Sequence, residues 1–410
     1  MKESLFLVGI ATSTITNTLE SCKELNLDVI LVDTQEMFET HDQLVSETVA
    51  RDYVDISNYD DLLACFKKHN LKSNIRYIFS FREVALLSVS IIAGKYGLFG
   101  VNENVVRLTI DKNRTRKVLC EAGLDNTDFK MCQTFKEAQD FFHKHNKKIV
   151  LKPNNLAGSV GVKVIEKDAE LKEYFEEVQK LSSTGEVLLE QYLDGKEYSI
   201  EMLVFDKKIQ VVGITEKFLF EETVVESGHI VPAPQSEMIL NKYQQKIQKI
   251  IDTLGIEFGP AFLEVKINHL GLFLIEAHTR YSGDKIVDLV QYAFKTDIVR
   301  PIFDYLVNKK IYKAELNCSD YYSIQYFSCP EERINRITEI DIIIKFPGII
   351  QISNQIDLNA VNTKIENSNN RKFFVLFYSS SYTYIQQLVD KIIATVNLEM
   401  EDGSVRKLFQ

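Results

Sequence analysis

The chain is poor in the features that mark several large protein classes. Its 410 residues contain only six cysteines (Cys22, Cys65, Cys120, Cys132, Cys318 and Cys329), scattered with no CxxC pair and no finger-like spacing. That usage argues against a disulfide framework and fits reduced thiols in a cytosol, most of them small core residues, so the expected location is cytoplasmic. No apolar run is long enough to span a bilayer. The first such run, LFLVGIA, is short and is followed by an amphipathic stretch and a second run, VILVD; it reads as a buried first strand, not as a signal peptide. Basic residues are also in deficit, 48 Lys and Arg against 58 Asp and Glu for a net charge of −10, which argues against a nucleic-acid partner. Internal repeats and low-complexity linkers are absent. So are two glycine signatures: the first strand is followed by Gly9 alone, with no GxGxxG for a dinucleotide, and GxxxxGK[ST] is missing throughout.

What is present is a globular composition, 45% hydrophobic and 26% charged, in a chain too long for one ordinary core. Strand-like Leu5 to Ile10, Val29 to Val32, Tyr53 to Ile56 and Tyr77 to Ser80 alternate with helical stretches up to about residue 100, a pattern that predicts a doubly wound α/β sheet. Asn104 to Ala122 reads as one helix closed by Gly123. Thr134 and Glu137 form a capping-box pair ahead of the next helix. Glu197 to Phe205 and Ile209 to Ile214 are expected to pair, and short strands return after residue 316, ahead of a helix over Tyr382 to Thr395. The patch from Asn367 to Asn370 reads as a loop tip.

Three stretches carry chemistry. In FGPAFLEVKINHLGLFLIEAHTRYSGDKIVDL two strands turn at Asn268, His269 and Gly271, so Glu264 and Glu276 fall on neighbouring strands. Glu276, His278 and Arg280 follow at intervals of two and can share a face. Paired carboxylates beside an arginine suit a Mg²⁺–polyphosphate site; the same pattern also fits a half-buried hairpin with solvated charges. In VLKPNNLAGSVGVKVI, Lys152 ends a strand and a loop with Gly158, Ser159 and Gly161 follows, an arrangement that can bring backbone N–H groups and an ammonium to phosphate or make a plain hairpin. In LLEQYLDGKEYSIE a strand turns at Asp194-Gly195; the Glu190–Gln191 backbone and Leu193 could meet a base and Glu197 a ribose, or the segment is another polar hairpin.

Together, and in this order from Lys112 in DKNRTR onward, these segments resemble the ATP-grasp superfamily over roughly residues 105 to 290. The resemblance implies an ATP-grasp fold of α/β class, with a Rossmann-like domain at 1–105, a mobile α+β lid region at 106–190, a central catalytic domain at 191–315 and an α+β subdomain at 316–410. It implies that Lys112 and Lys152 hold ATP phosphates under Gly158, Ser159 and Gly161, with Glu190, Gln191, Leu193 and Glu197 around adenine and ribose. Glu264 and Glu276 are implied as Mg²⁺ ligands. His278 stands where the family usually has asparagine; it is implied either to bind a second Mg²⁺ less tightly or to do another job, such as orienting substrate, which leaves the second ion's site open. Arg280 is implied to steady an acyl phosphate and its transition state. EAHTRYSGDKI and VESGHIVPAP are similar to segments of the L-amino-acid ligases, which join two amino acids. On that resemblance Glu226, His229, Arg280, Tyr281, Ser282 and Gly283 face substrate, and Glu226 or His229 takes the amine's proton. Phe81 to Glu83 are expected to add to that pocket. The implied partners are small molecules, amino acids above all, and a homodimer is the ordinary assembly. A ligase for another carboxylate, or an ATP-binding protein without turnover, are the alternatives.

Overall fold

A computed structural model describes residues 2–410 except 47, 146, 147, 157, 222, 315 and 359. Four sheets organise the chain. The first is wholly parallel, in the order Ala50–Tyr53, Asp28–Asp33, Glu3–Val8, Asn74–Phe79. Its inner strands Glu3–Val8 and Asp28–Asp33 are near-continuous apolar runs buried on both faces, whereas the edge strand Ala50–Tyr53 alternates part-buried and exposed residues. The third strand in sequence lies earlier than Tyr53 to Ile56. The chain turns there instead: Asp55 accepts from the Ser57 N–H and hydroxyl, and Asn58 caps the helix Tyr59–Asn70.

The expected helix over Asn104 to Ala122 is two helices, Glu103–Ile110 and Lys112–Glu121. Asp111 is extended between them, and its carboxylate caps the second through the Arg114 N–H, so the break places Lys112 at a helix start. A small antiparallel sheet comes next, in the order Phe129–Cys132, Val187–Gln191, Ile149–Pro153, Lys163–Ile165, backed by helices Phe135–His145 and Asp168–Leu181. Thr134 and Glu137 bond reciprocally at the first helix, as the capping pair predicts. This unit has its own core, built on Phe141, Phe142, Leu151 and Phe175.

The third sheet has eight strands, in the order Gly271–His278, Phe258–Asn268, Lys196–Phe205, Lys208–Leu219, Glu226–Val231, Tyr321–Phe327, Phe373–Ser379, Ile349–Asn354. Three strands from beyond residue 316 therefore extend the central sheet, and the boundary expected near 315 runs through one hydrogen-bonded surface. Residue 315 itself lies outside the described residues. The helix Ser236–Leu254 packs Ile239, Ile247 and Ile251 on one face of that sheet. On the other side a shared core joins the first domain to it through Leu5, Phe79, Phe258 and Phe303. A three-stranded sheet, Ile334–Thr338, Asn397–Met400 and Val405–Arg406, completes the fold. Among the described residues no helix is long and apolar enough to cross a membrane.

Two register shifts in the central sheet set which charged side chains meet. Between Glu264 and Val265 the hairpin pairing slips by one residue, so that Glu264 faces Glu276 and not Ile275. Between Val211 and Gly213 a second slip sets Lys217 opposite Glu197, where regular pairing would have set it opposite Lys196.

Candidate active site

The hairpin of Phe258–Asn268 and Gly271–His278 forms the floor of a cavity of about 330 Å³. Phe262, Glu264 and Lys266 alternate onto it from one strand, and Glu276 and His278 from the other. Burial pushes the Glu264 carboxyl up; Lys217 pulls against that, and Glu276, Glu197 and Glu226 push further, to about 6. Burial acts on Glu276 as well, but the Lys112 ammonium at 3.4 Å, His278 and Lys152 hold it well below the usual carboxylate range. Facing carboxylates with this excess of like charge, all oxygen donors, fit a hard divalent cation such as Mg²⁺. His278 stands beside this pair on the same cavity floor. Its Nε2 lies 3.2 Å from Glu276 and its Nδ1 3.5 Å from Glu83, and although burial opposes the charged ring, these two partners raise its pKa. Its ring stacks on Phe262.

The roof comes from the small sheet. Lys152, at the end of Ile149–Pro153, pairs with Glu190 at 2.8 Å, and Glu190 is also bound by Arg116 at 3.0 Å. The Glu190 side chain is thus committed to buried cations. Lys112 donates to the Leu156 carbonyl, and Asn154 accepts from the Asn113 N–H while donating to Asp111, so the lysine and the glycine loop are tied together. Gly158, Ser159 and Gly161 have φ of 68°, 59° and 71°, and Gly161 packs on Pro153 and Leu181 rather than lining the cavity. Ala157 of this loop lies outside the described residues. Gln191 is exposed, Leu193 is half-buried, and Lys266 donates to the Leu193 carbonyl at 3.1 Å.

At the far end Arg280 is held by Glu83, to which Nε donates at 3.1 Å, and by the Tyr281 carbonyl at 2.7 Å. Burial notwithstanding, His278 and Arg280 keep Glu83 down at about 2. Tyr281 lies outside this cavity but lines a second one beside it. Its ring stacks on Phe81 in the core and its hydroxyl donates to the Ile298 carbonyl. Ser282 donates its backbone N–H to the fully buried Glu201. Ser282 and Gly283 stand between the first cavity and a second of about 540 Å³ against the first domain, lined by Ala11, Met37 and Phe81.

Glu226 and His229 come from Glu226–Val231. His229 is 1% exposed; its Nε2 lies 3.3 Å from Asp284, and its Nδ1 has no partner among the described residues. Two further groups, neither expected from the sequence, organise this corner. Lys217 is buried at the meeting point of Glu197, Glu226 and Glu264, at 2.9, 3.2 and 3.1 Å. Its alternation with Thr215 could place it on the floor face, but only the register slip brings it to Glu197. Arg371 binds Asp284 at 2.6 Å and donates to the Glu226 carbonyl, while the Ser368 hydroxyl donates to the Glu226 carboxylate. The asparagine-rich patch expected as a loop tip is therefore part of this wall, with its Ser368 N–H bonded to the Gly158 carbonyl and Asn369 lining the cavity. No local signal marked it.

A small lid-like sheet over a carboxylate-bearing hairpin, with lysines above and an arginine at one end, defines the ATP-grasp fold. The family model for the ATP-grasp domain matches residues 145–288, so the chain carries such a domain. It is 25% identical over 308 residues to the uncharacterized protein y4rH of Sinorhizobium fredii, spanning 73% of this chain and 62% of that protein. It is 22% identical over 258 residues to the carbamoyl phosphate synthase large chain of Thermotoga petrophila, spanning 62% of this chain and 23% of the relative. The chain thus spans less than two thirds of either relative's length. A crystal structure of an L-amino acid ligase from Bacillus licheniformis superposes with a TM-score of 0.78 at 16% identity, covering 100% of both chains.

Proposed function

We propose that the chain is an ATP-dependent carboxylate–amine ligase, that it joins two L-amino acids into a dipeptide, and that it releases ADP and phosphate. The observation that carries this reading is the Glu264–Glu276 pair, set between the Lys112–Lys152 roof and Arg280. The fold shared with an L-amino acid ligase supports it.

A carboxylate is a poor electrophile, so one substrate carboxylate first takes the γ-phosphoryl group of ATP: its oxygen bonds to phosphorus, the bond to the bridging oxygen breaks, and ADP leaves. The amine of the second substrate then attacks the acyl carbon, phosphate departs, and the nitrogen gives up a proton. Lys112 and Lys152 turn from their carboxylate partners to the phosphates, under the backbone of Gly158 and Ser159. The Glu190–Gln191 backbone and Leu193 hold the base, and Glu197 the ribose. Glu264 and Glu276 would hold Mg²⁺, which neutralises phosphate charge when bound. His278, which links Glu276 to Glu83, would hold a second ion only weakly or orient substrate. Arg280 stabilises the tetrahedral oxyanion, and the free Nδ1 of His229, or Glu226 beside it, accepts the amine's proton. The second cavity meets the first at Ser282 and Gly283, so a carboxylate seated there reaches the phosphate. Residues from about 125 to 190 act as the lid that excludes water from the acyl phosphate; a core of their own, built from Cys132 to Leu189, supports such motion.

The test is ADP and phosphate release from ATP and Mg²⁺ with pairs drawn from all the amino acids. Release should need two amino acids, give a product of their summed mass less water, and vanish with that product in Glu276→Gln. Release with one amino acid and no condensed product points to a different amine. ATP binding without turnover on any carboxylate overturns the proposal.

A further inference from the structure

The first domain holds a group of side chains with no part in the ATP-grasp chemistry. Cys65 and His69 lie one turn apart on the helix Tyr59–Asn70, so both project from one face toward the neighbouring strand Ala50–Tyr53. Asp52 on that strand meets them. Its Oδ2 is 3.5 Å from Cys65 Sγ and 3.1 Å from His69 Nε2, and the three ligand atoms lie within 4.8 Å of one another. The other carboxylate oxygen, Oδ1, accepts from the Tyr53 N–H at 3.1 Å, which fixes the carboxylate with Oδ2 turned toward the cysteine and histidine.

We propose that Asp52, Cys65 and His69 form a binding site for one divalent transition-metal ion of the zinc class. The two separations from Asp52 Oδ2 match those of ligands as well as of hydrogen-bonding neighbours. A tetrahedral ion with oxygen at about 2.0 Å and thiolate sulfur at about 2.3 Å sets those two atoms about 3.5 Å apart, and oxygen and imidazole nitrogen about 3.3 Å apart. The donor set of one thiolate, one imidazole and one carboxylate selects zinc-like ions over Mg²⁺, which the oxygen-only pair Glu264–Glu276 suits instead. Cys65 is buried and Asp52 and His69 are partly so, leaving the open fourth position on the solvent side. One competitor occupies that side: Lys68 pairs with Asp52 Oδ2, but its side chain is 58% exposed and can swing into water when a metal arrives. Metal binding takes the Cys65 proton and has His69 coordinate through Nε2 with its remaining proton on Nδ1. The ion then pins the helix to the edge strand of the parallel sheet.

The experiment uses the full chain, freed of metal with a chelator and titrated with Co²⁺. The expected result is one equivalent of Co²⁺ with a near-ultraviolet thiolate charge-transfer band and the intense visible bands of a tetrahedral ion, displaced by Zn²⁺. Cys65→Ser abolishes the thiolate band, and His69→Gln and Asp52→Asn each weaken binding by at least about 100-fold, more than the loss of an outer hydrogen bond produces. Glu276→Gln, which strips a carboxylate from the other cation site, leaves the band in place. That arm makes the outcome independent of the ligase reading. Circular dichroism verifies that each variant is folded. Absence of a thiolate band in the unsubstituted protein, or its persistence in folded Cys65→Ser, overturns the proposal.

Discussion

Replacing Lys217 with methionine, an unbranched side chain one atom shorter that removes the charge, should destabilise the protein by about 3–5 kcal/mol. Lys217 is 2% exposed at its side chain and lies within 3.2 Å of three carboxylates. Each contact is worth about 5 kcal/mol of Coulomb attraction at an effective dielectric of about 20, against which stands the penalty of burying the ammonium. Methionine removes both, but it leaves Glu197, Glu226 and Glu264 facing one another without the central cation. The deficit has a definite pH dependence. Glu264 is already raised to about 6, so the folded state holds a proton that the unfolded chain releases, and stability falls as pH rises from its unfolded value through that point. Without Lys217 the Glu264 pKa rises further and the window of loss extends upward. The gap between variant and parent should therefore widen with pH, by up to about 1.4 kcal/mol per unit for the proton retained. Because a divalent cation can take over part of the neutralisation, Mg²⁺ should stabilise the variant more than the parent. Urea unfolding at about pH 5.5 and about pH 8, with and without Mg²⁺, reads all three effects. A deficit below about 1 kcal/mol at the higher pH, or one that shrinks as pH rises, would mean that Lys217 does not neutralise this cluster.

The same geometry sets three further outcomes. ADP release at limiting Mg²⁺ should rise about tenfold per unit as pH approaches about 6 from below, as Glu264 loses its proton, and Glu264→Gln should remove that limb along with the activity. Arg371→Ala should raise the KM for the amino substrate about 10- to 100-fold while changing the KM for ATP far less, because it frees Asp284 and Glu226 and leaves the lysine roof intact; equal rises in both constants would assign Arg371 to the nucleotide instead. Deleting Ile275, the residue that the slip leaves unpaired, should regularise the hairpin and still set Glu276 opposite Glu264, so steady-state assays should find Mg²⁺-dependent turnover retained; its loss in a variant that circular dichroism shows to be folded would make the slip itself a requirement.

Much of this arrangement is legible in the chain itself, because local rules dominate where it is. Alternation puts Phe262, Glu264 and Lys266 on one face of a strand, and Thr134 with Glu137 marks a helix start; neither depends on distant partners. Asp111 shows the limit of periodicity: the apolar pattern continues across it, but its carboxylate caps a new helix and breaks the run in two. Tyr281 shows another. Adjacency to Arg280 says nothing about partners: Arg280 binds Glu83, whereas the Tyr281 ring stacks on Phe81 and its hydroxyl reaches Ile298. Lys217 and Arg371 were hidden for a non-local reason. Each becomes a site residue only through partners far along the chain, and for Lys217 only through a slip in strand pairing that no sequence pattern marks.

The position of Arg371 bears on how the protein is made. The carboxylate hairpin and both lysines leave the ribosome well before the segment Ser368–Arg371 that binds Glu226, Asp284 and Gly158. On the proposed function, the residues that would face the nucleotide are thus synthesised while the opposite wall is still missing. Translation that stops short of this segment should yield a product able to hold a nucleotide yet unable to enclose a second reactant, so that competence for chemistry arrives last, with the strands that close the sheet.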